Sequence, residues 1–264
     1  MGLDGLSGVS GSTLPFRPAD PSAPLCVDCT HIGLVCADRQ ADGSAFARGL
    51  VRAFARDGSF GGICARRGAR AVVLDRASGR YLGGDSYEPV DLGCGYGASL
   101  CDGRLVLCDV RTETFGFCGS WMDPIVDERS GLAAMVDKAV GRNWGDPREG
   151  VVVVIDPAEE LVPQLLVDCS GRVEMLLYSL NVWGKQHGYS LVLSFSPSFV
   201  ARHVRGPRAG EFRGVVDWTL DMSSAPGSDE VACDLRYFGG RGYGYRMVRG
   251  ADGSLVGTEV IDGG

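Results

Sequence analysis

Histidine is scarce in this sequence, three residues in 264, and the three stand far from one another. No histidine pair therefore offers zinc-ligand spacing. Long apolar runs are missing as well: none could span a bilayer, and no charged stretch followed by an apolar one marks a secretory leader. Both absences point to a reducing compartment, with the thiols free. Basic charge is in deficit, 26 Lys and Arg against 33 Asp and Glu, for a formal net charge of -7. The molecule as a whole should repel nucleic acid, so any RNA contact must be a local concentration of arginine. A GxSxG nucleophile elbow is missing too, and the serines of "SGSTL" fall in a tail.

What is present is globular: 45% hydrophobic and 22% charged residues, enough for one large α/β domain. The ten cysteines include a CxxC at Cys26 and Cys29. That motif could be half of a zinc site with Cys36, Cys64 or His31 folding back, but no second close pair follows it. Small buried thiols are the preferred reading, and no metal is expected. The opening "MGLDGLSG" places Leu6 where a myristoylation motif has Ser or Thr. Gly, Ser and Pro without periodicity predict a flexible extension over 1–23, followed by a single domain over 24–264.

Inside that domain, "HIGLVCAD" predicts a strand, and "SAFARGLVRAFARDG" a helix with Phe46, Leu50, Val51 and Phe54 on its apolar face. Arg48, Arg52 and Arg56 follow at i, i+4 and i+8 as a solvated stripe. "GARAVVLDRASGRYLGG" and "GASLCDGRLVLCDV", each with a short apolar run beside a Gly-containing turn, predict strands with the Gly-rich segment between them as loop, and "SGLAAMVDKAVGRNW" predicts a helix. "GVVVVIDP", four valines and an isoleucine with no polar interruption, predicts a strand covered on both faces. A helix carrying Leu176, Leu177, Leu180 and Trp183 on one side then leads to the strand "YSLVLSFS", a βαβ unit with a parallel pair. Four short strand candidates close the chain without a helix between them. The expected sheet is mostly parallel, with an antiparallel edge extension.

That order resembles the core of a RecA-type ATPase, a P-loop NTPase-type fold. More narrowly, "GLVCADRQADGSAFARGLVRAFARDG", "VVVVIDPAEELV", "GKQHGYSLVLSFSPS" and "GYRMVRGADGSLVGTEVI" resemble stretches of the Elongator complex protein 6 family, from about Leu34 onward. Laid on a phosphate-binding GxxxxGK[ST], the first loop has Ala37 and Asp42 at the glycine positions and Gly43 at the lysine position. Only Ser44 remains as a magnesium-side hydroxyl. Asp38 and Asp42 would set carboxylates where phosphates belong. Asp156, at the position of the second ATPase motif, reads as a strand-end cap or as the N-cap of a helix opening at Pro157. The nucleotide motifs are degenerate, and no cofactor is expected.

What the resemblance implies is a non-catalytic subunit of a heterohexameric RecA-like ring formed with Elongator proteins 4 and 5. Such a ring binds tRNA, docks on the catalytic Elongator subcomplex and supports wobble-uridine modification with 5-carboxymethyl-type side chains. A cytoplasmic and nuclear location goes with it. The competing reading is a degenerate recombinase-type ATPase, or its paralogue, acting in DNA repair.

Two basic stretches bear on RNA. In RecA folds the loop after the second central strand faces nucleic acid, and here it carries Arg202, His203, Arg205, Arg208 and Arg213 with Glu211 as its only acid. That loop could contact phosphates or could be solvated and paired with acids. The stretch "DLRYFGGRGYGYRMVRG" interleaves Tyr237, Phe238, Tyr243 and Tyr245 with Arg236, Arg241, Arg246 and Arg249. Base stacking, an edge hairpin and a protein interface all suit it, and the interface is preferred. His187, in "GKQHGY", is expected to meet the last carbonyls of its helix. "DLGCGYGASL" reads as a loop.

Overall fold

The structure, a computed structural model, describes residues 25–27, 31–65, 67–75, 80–81, 87–88, 104–108, six helical positions between 136 and 144, 150–158, 170–204, 215–237 and 242–261. Its strands are β1 (Leu25–Val27), β2 (Ile32–Ala37), β3 (Ser59–Phe60), β4 (Ile63–Ala65), β5 (Arg70–Asp75), β6 (Arg80–Tyr81), β7 (Tyr87–Glu88) and β8 (Leu105–Cys108). They continue with β9 (Val151–Asp156), β10 (Tyr189–Phe195), β11 (Trp218–Ser223), β12 (Glu230–Tyr237), β13 (Tyr243–Arg249) and β14 (Leu255–Ile261). Helix α1 spans Gln40–Ala55 and α2 spans Ser170–His187.

Nine strands form one sheet in the order β14-β13-β12-β11-β2-β10-β9-β5-β8. From β11 to β8 every neighbour is parallel, and β12, β13 and β14 add on antiparallel. The expected mixed sheet is therefore present, with its antiparallel part at one edge. The "GVVVVIDP" run shows why the parallel part must be covered twice. Val151, Val153 and Ile155 of β9 join one core with Leu177, Leu180 and Trp183 of α2, while Val152 and Val154 join the other with Phe46, Leu50, Val51 and Phe54 of α1. Strand periodicity of two sends alternate side chains to opposite layers, so an unbroken apolar strand needs a helix on each side. Burying each of the four large side chains of α1 contributes about 1.5–3 kcal/mol.

Towards β11 the pattern changes to strict alternation. Trp218, Leu220 and Met222 are buried on the α1 side, and Thr219, Asp221 and Ser223 lie on the less covered face. Val248 and Val256, partners across β13 and β14, are among the exposed large apolar residues on that face. One face of the antiparallel extension is therefore packed and the other is solvated.

A smaller sheet, β1-β4-β3, packs on α1 and was not legible in the sequence. Phe60 brings it against Phe46, with ring centroids 5.3 Å apart. At the end of "GARAVVLDRASGRYLGG", β6 pairs antiparallel with β7, which lies in the segment expected to be loop.

The β2–β11 contact depends on Gly33, which lies opposite Trp218 in the parallel ladder. A Cβ at Gly33 would stand 1.9 Å from Trp218 Cε2. Gly33→Ala is expected to lower unfolding stability by about 1–3 kcal/mol through overpacking, as a shifted urea midpoint. An unshifted midpoint would contradict this packing of β2 against β11.

Candidate functional site

In open α/β sheets ligands bind at the carboxyl ends of strands, where successive connections leave in opposite directions. That point lies between β2 and β10. The chain leaves β2 through α1 towards β5 on one side, and leaves β10 for β11 on the other side of β2. The residues that meet there are Asp38 to Ser44 after β2, Asp156 at the end of β9, and Ser194 near the end of β10.

The connection is short. β2 ends at Ala37 and α1 starts at Gln40, which leaves Asp38 and Arg39 as the whole turn. Asp42 and Gly43, assigned to a loop from the sequence, lie instead in the first turn of α1, ahead of Ser44 where the helix was expected to open. Local packing explains the difference. The amide of Asp38 donates to the carbonyl of Met222 in β11 at 2.9 Å, which ties the turn to the neighbouring strand. The amides of Asp42 and Gly43 donate to the Arg39 carbonyl at 3.0 and 3.3 Å. Three N–H groups that a phosphate cradle would aim at a ligand are thus used by the protein itself. Arg39, in the N-cap position, is extended and makes no side-chain cap. Gly43 lets α1 approach the sheet: a Cβ there would meet Ser194 Oγ at 3.2 Å and Ala37 Cβ at 3.3 Å.

Asp42 does not face the crevice. Its carboxylate is buried, at 3% exposure, and accepts a two-pronged contact from Arg249 of β13: Nε to Oδ1 at 2.9 Å and Nη2 to Oδ2 at 3.0 Å. Arg249 also donates through Nη1 to the carbonyl of Ser228 at 2.8 Å. Hydrogen bonding to Asp42 is the main reason the guanidinium is held above its ordinary pKa. The pair clamps α1 to the antiparallel extension with full use of Asp42's oxygens. At the crevice itself Gln40 donates through Nε2 to Asp156 Oδ1 at 3.3 Å and to Ser44 Oγ at 3.4 Å. Asp156 is 3% exposed, and its peptide bond to Pro157 is cis. The helix expected from Pro157 lies outside the described residues beyond Ala158. Ser194 Oγ is buried and makes no hydrogen bond.

The basic stretches separate on the strands. Arg202 is exposed on a helical turn at Val200–Val204, after β10, while Arg205, Arg208 and Arg213 lie outside the described residues. Arg236 is exposed on β12 and pairs with Asp234 two positions earlier. Tyr237 registers with Trp218, and Phe238 and Arg241 fall outside the described residues. Tyr245, read as an interface residue, is a core residue at 4% exposure, and Tyr243 is half-buried against the same core. Strand alternation is the reason: 243, 245 and 247 turn towards α1, and Arg246 and Val248 turn outward. Arg246 meets Glu230 across the ladder at 3.5 Å.

His187 pairs with a carboxylate rather than with the end of its helix. Its Nδ1 lies 3.3 Å from Asp137 Oδ1, which also accepts the Tyr189 hydroxyl at 2.9 Å. Trp183 and Tyr189 flank the imidazole, with centroids 6.1 and 5.5 Å away. Among the described residues no group of three or more His, Cys, Asp and Glu could hold a metal ion.

Among solved structures, a KaiC-like protein from the hyperthermophilic archaeon Pyrococcus horikoshii matches with a TM-score of 0.51 over 89% of this chain and 90% of that one, at 12% identity. The fold is RecA-like. No protein-family model and no curated protein matches the sequence.

Asp42→Asn would remove the main carboxylate partner of the half-buried Arg249, which keeps the Ser228 carbonyl and Asp229 at 3.9 Å, and is expected to cost about 1–3 kcal/mol, read as loss of the folded baseline at lower urea. Restoration by pairing it with Arg249→Met would locate the loss in this ion pair. A second expectation concerns thiols. Burial pushes the Cys233 thiol up to about 12, so at pH 8 Cys233 should resist iodoacetamide in the native chain while half-buried Cys64 is modified, as peptide mass mapping would reveal.

Proposed function

We propose that this chain is a non-catalytic subunit of the Elongator complex, built into a heterohexameric RecA-like ring with Elongator proteins 4 and 5. The ring would bind tRNA, dock on the catalytic subcomplex, support wobble-uridine modification and work in the cytoplasm and nucleus. The observation that carries the non-catalytic part is the β2–α1 turn. Where a nucleotide-hydrolysing relative needs a lysine and free amides, this chain has Gly43, a two-residue turn and amides already bonded to Arg39 and Met222. A RecA-like fold without that apparatus still has flat faces with which to pack against others of its kind. The resemblance of "GLVCADRQADGSAFARGL" and "VVVVIDPAEELV" supports the particular ring.

One observation favours the competing reading, a degenerate recombinase-type ATPase. Gln40, Ser44 and Asp156 still converge at the carboxyl ends of the strands. Equilibrium titration of the purified chain with a fluorescent ATP analogue separates the two: the ring reading expects no saturable binding, and micromolar binding lost in Asp156→Asn supports the ATPase.

Affinity purification of the tagged chain from its native cells, with partners identified by mass spectrometry, tests the ring. Two further RecA-like chains together with the Elongator core are expected, and recombination factors in their place would overturn the proposal. In the assembled ring, Arg205→Glu with Arg208→Glu should weaken tRNA binding about tenfold or more at moderate salt through lost phosphate contacts, with assembly intact. Unchanged affinity in a filter-binding assay would remove this loop from the tRNA path.

A further inference from the structure

Helix α1 is covered over most of its circumference. The core under the large sheet takes Phe46, Leu50, Val51 and Phe54. The β3–β4 pair closes on its flank so tightly that a Cβ at Gly49 would stand 2.3 Å from Phe60 Cζ. The residues of α1 that are not buried are Gln40, Ala41, Ser44, Arg48, Arg52 and Ala53, and Arg56 at its C-cap is exposed. What faces outward is therefore a row at every fourth position from Gln40 to Arg56, and its second half is arginine alone.

The carboxylates around that row are already engaged. Asp42 points to Arg249, 2.9 Å away. Asp57 accepts from Arg104 Nη2 at 3.2 Å and from the Gly68 amide at 2.6 Å. Asp252, in the turn between β13 and β14, accepts from the Ser254 hydroxyl and amide at 2.6 and 2.9 Å. Those bonds first, and Arg52 last, hold its carboxyl below the ordinary range. Among the described residues the ion pairs use Arg104, His187, Arg236, Arg246 and Arg249, and none uses Arg48, Arg52 or Arg56. Like charges four positions apart oppose each other along a helix. The dipole at the helix C-terminus offsets this for Arg52 and Arg56, but Arg48 stands in mid-helix. The stems are also held: Arg48 and Arg52 are half-buried, and Arg52 Nε donates to the Arg48 carbonyl at 3.4 Å. Guanidinium groups on fixed stems lose less freedom on binding than free ones.

We propose that Arg48, Arg52 and Arg56, a solvated stripe on sequence grounds, form a binding surface for the phosphodiester backbone of a single-stranded nucleic acid. Successive arginines climb the helix by about 6 Å, a step on which consecutive phosphates can be met by planar, two-pronged donors. A protein partner fits less well. Its interface would need an apolar or aromatic anchor at the centre. The exposed large apolar residues among the described ones are Tyr178, Val248 and Val256, none of them on α1. With no aromatic side chain in the row for a base to stack on, the surface reads phosphates, and RNA and DNA strands should bind alike. It shares no residue with the loop after β10 and does not depend on membership of a ring.

The test follows fluorescence anisotropy of labelled oligouridylate and oligothymidylate with the purified full chain across a salt series. The chain is expected to bind both alike, and more weakly as salt rises. Arg48→Gln with Arg56→Gln keeps polar side chains and removes two charges. It should weaken binding about tenfold at low salt and reduce the log–log salt slope by about 1.4, the value of two phosphate contacts on a single strand. Arg48→Lys with Arg56→Lys should keep the slope, and Arg246→Gln, on the opposite face of the sheet, should change neither quantity. No saturable binding at low salt, an unchanged slope in the glutamine pair, an equal loss in Arg246→Gln, or a strict preference for one sugar would each overturn the proposal. So would poly-glutamate that displaces the strands at equal charge, which would assign the row to an acidic protein segment. These readouts involve no partner chain, so their failure leaves the ring reading standing, and recovery of other partners in the affinity purification leaves the arginine row standing.

Discussion

Double-sided burial of the parallel strands is the constraint on which the rest of this molecule depends. β2, β9 and β10 carry apolar side chains on both faces, and neither face can be left to water. That condition fixes α1 on one side and α2 on the other, and from it follows where the chain can turn. Because α1 must cross from β2 to β5 over the same face that Trp218 and Leu220 occupy, its first turns are drawn close to β10 and β11. Gly33 and Gly43 are the places where this closeness is made possible, one under an indole and the other beside Ser194 Oγ.

The bonding of the amides around the β2–α1 turn follows from the same packing. A cradle for phosphate needs several residues of loop whose amides have no other partner. Here two residues connect the strand to the helix, and the surrounding amides are bonded within the protein. Asp42, which in a phosphate loop would oppose the ligand, has become the anchor of Arg249. The arginine brings β13 and the loop at Ser228 to the start of α1. The start of α1 is thereby joined to the antiparallel edge of the sheet.

Much of the architecture was legible because it was periodic. The valine run of β9, the i, i+4, i+8 face of α1 at Phe46, Leu50 and Phe54, and the alternation in "GVVDWTLDM" each specify an element and the layer it faces. What escaped lacked length. β1, β3 and β4 are two or three residues long, too short for a period to declare itself. The site was legible only in its chemistry: the missing lysine at Gly43 and the carboxylates at Asp42 and Asp156 could be read, but not that Asp42 turns towards a strand 207 positions away. Tyr245 shows the limit from the other direction. Composition marked it as an exposed aromatic among arginines, whereas its parity with Met247 put it in the core.

The placement of β2 also sets a schedule for folding. It is the first strand of the large sheet to be made, yet both its neighbours, β10 and β11, lie far along the chain. The hydrogen bond from the Ile32 amide to the Asp217 carboxylate spans 185 positions. At roughly 5–20 residues per second of synthesis, β2 waits on the order of ten to forty seconds for the strand that completes its ladder. During that interval Val35 and Ala37 have α1 beside them, Ile32 and Leu34 have not yet met α2, and the strand has no edge to pair with. The nascent chain is most exposed to misassembly while the middle of its sheet is open, and only the last quarter of the sequence closes it.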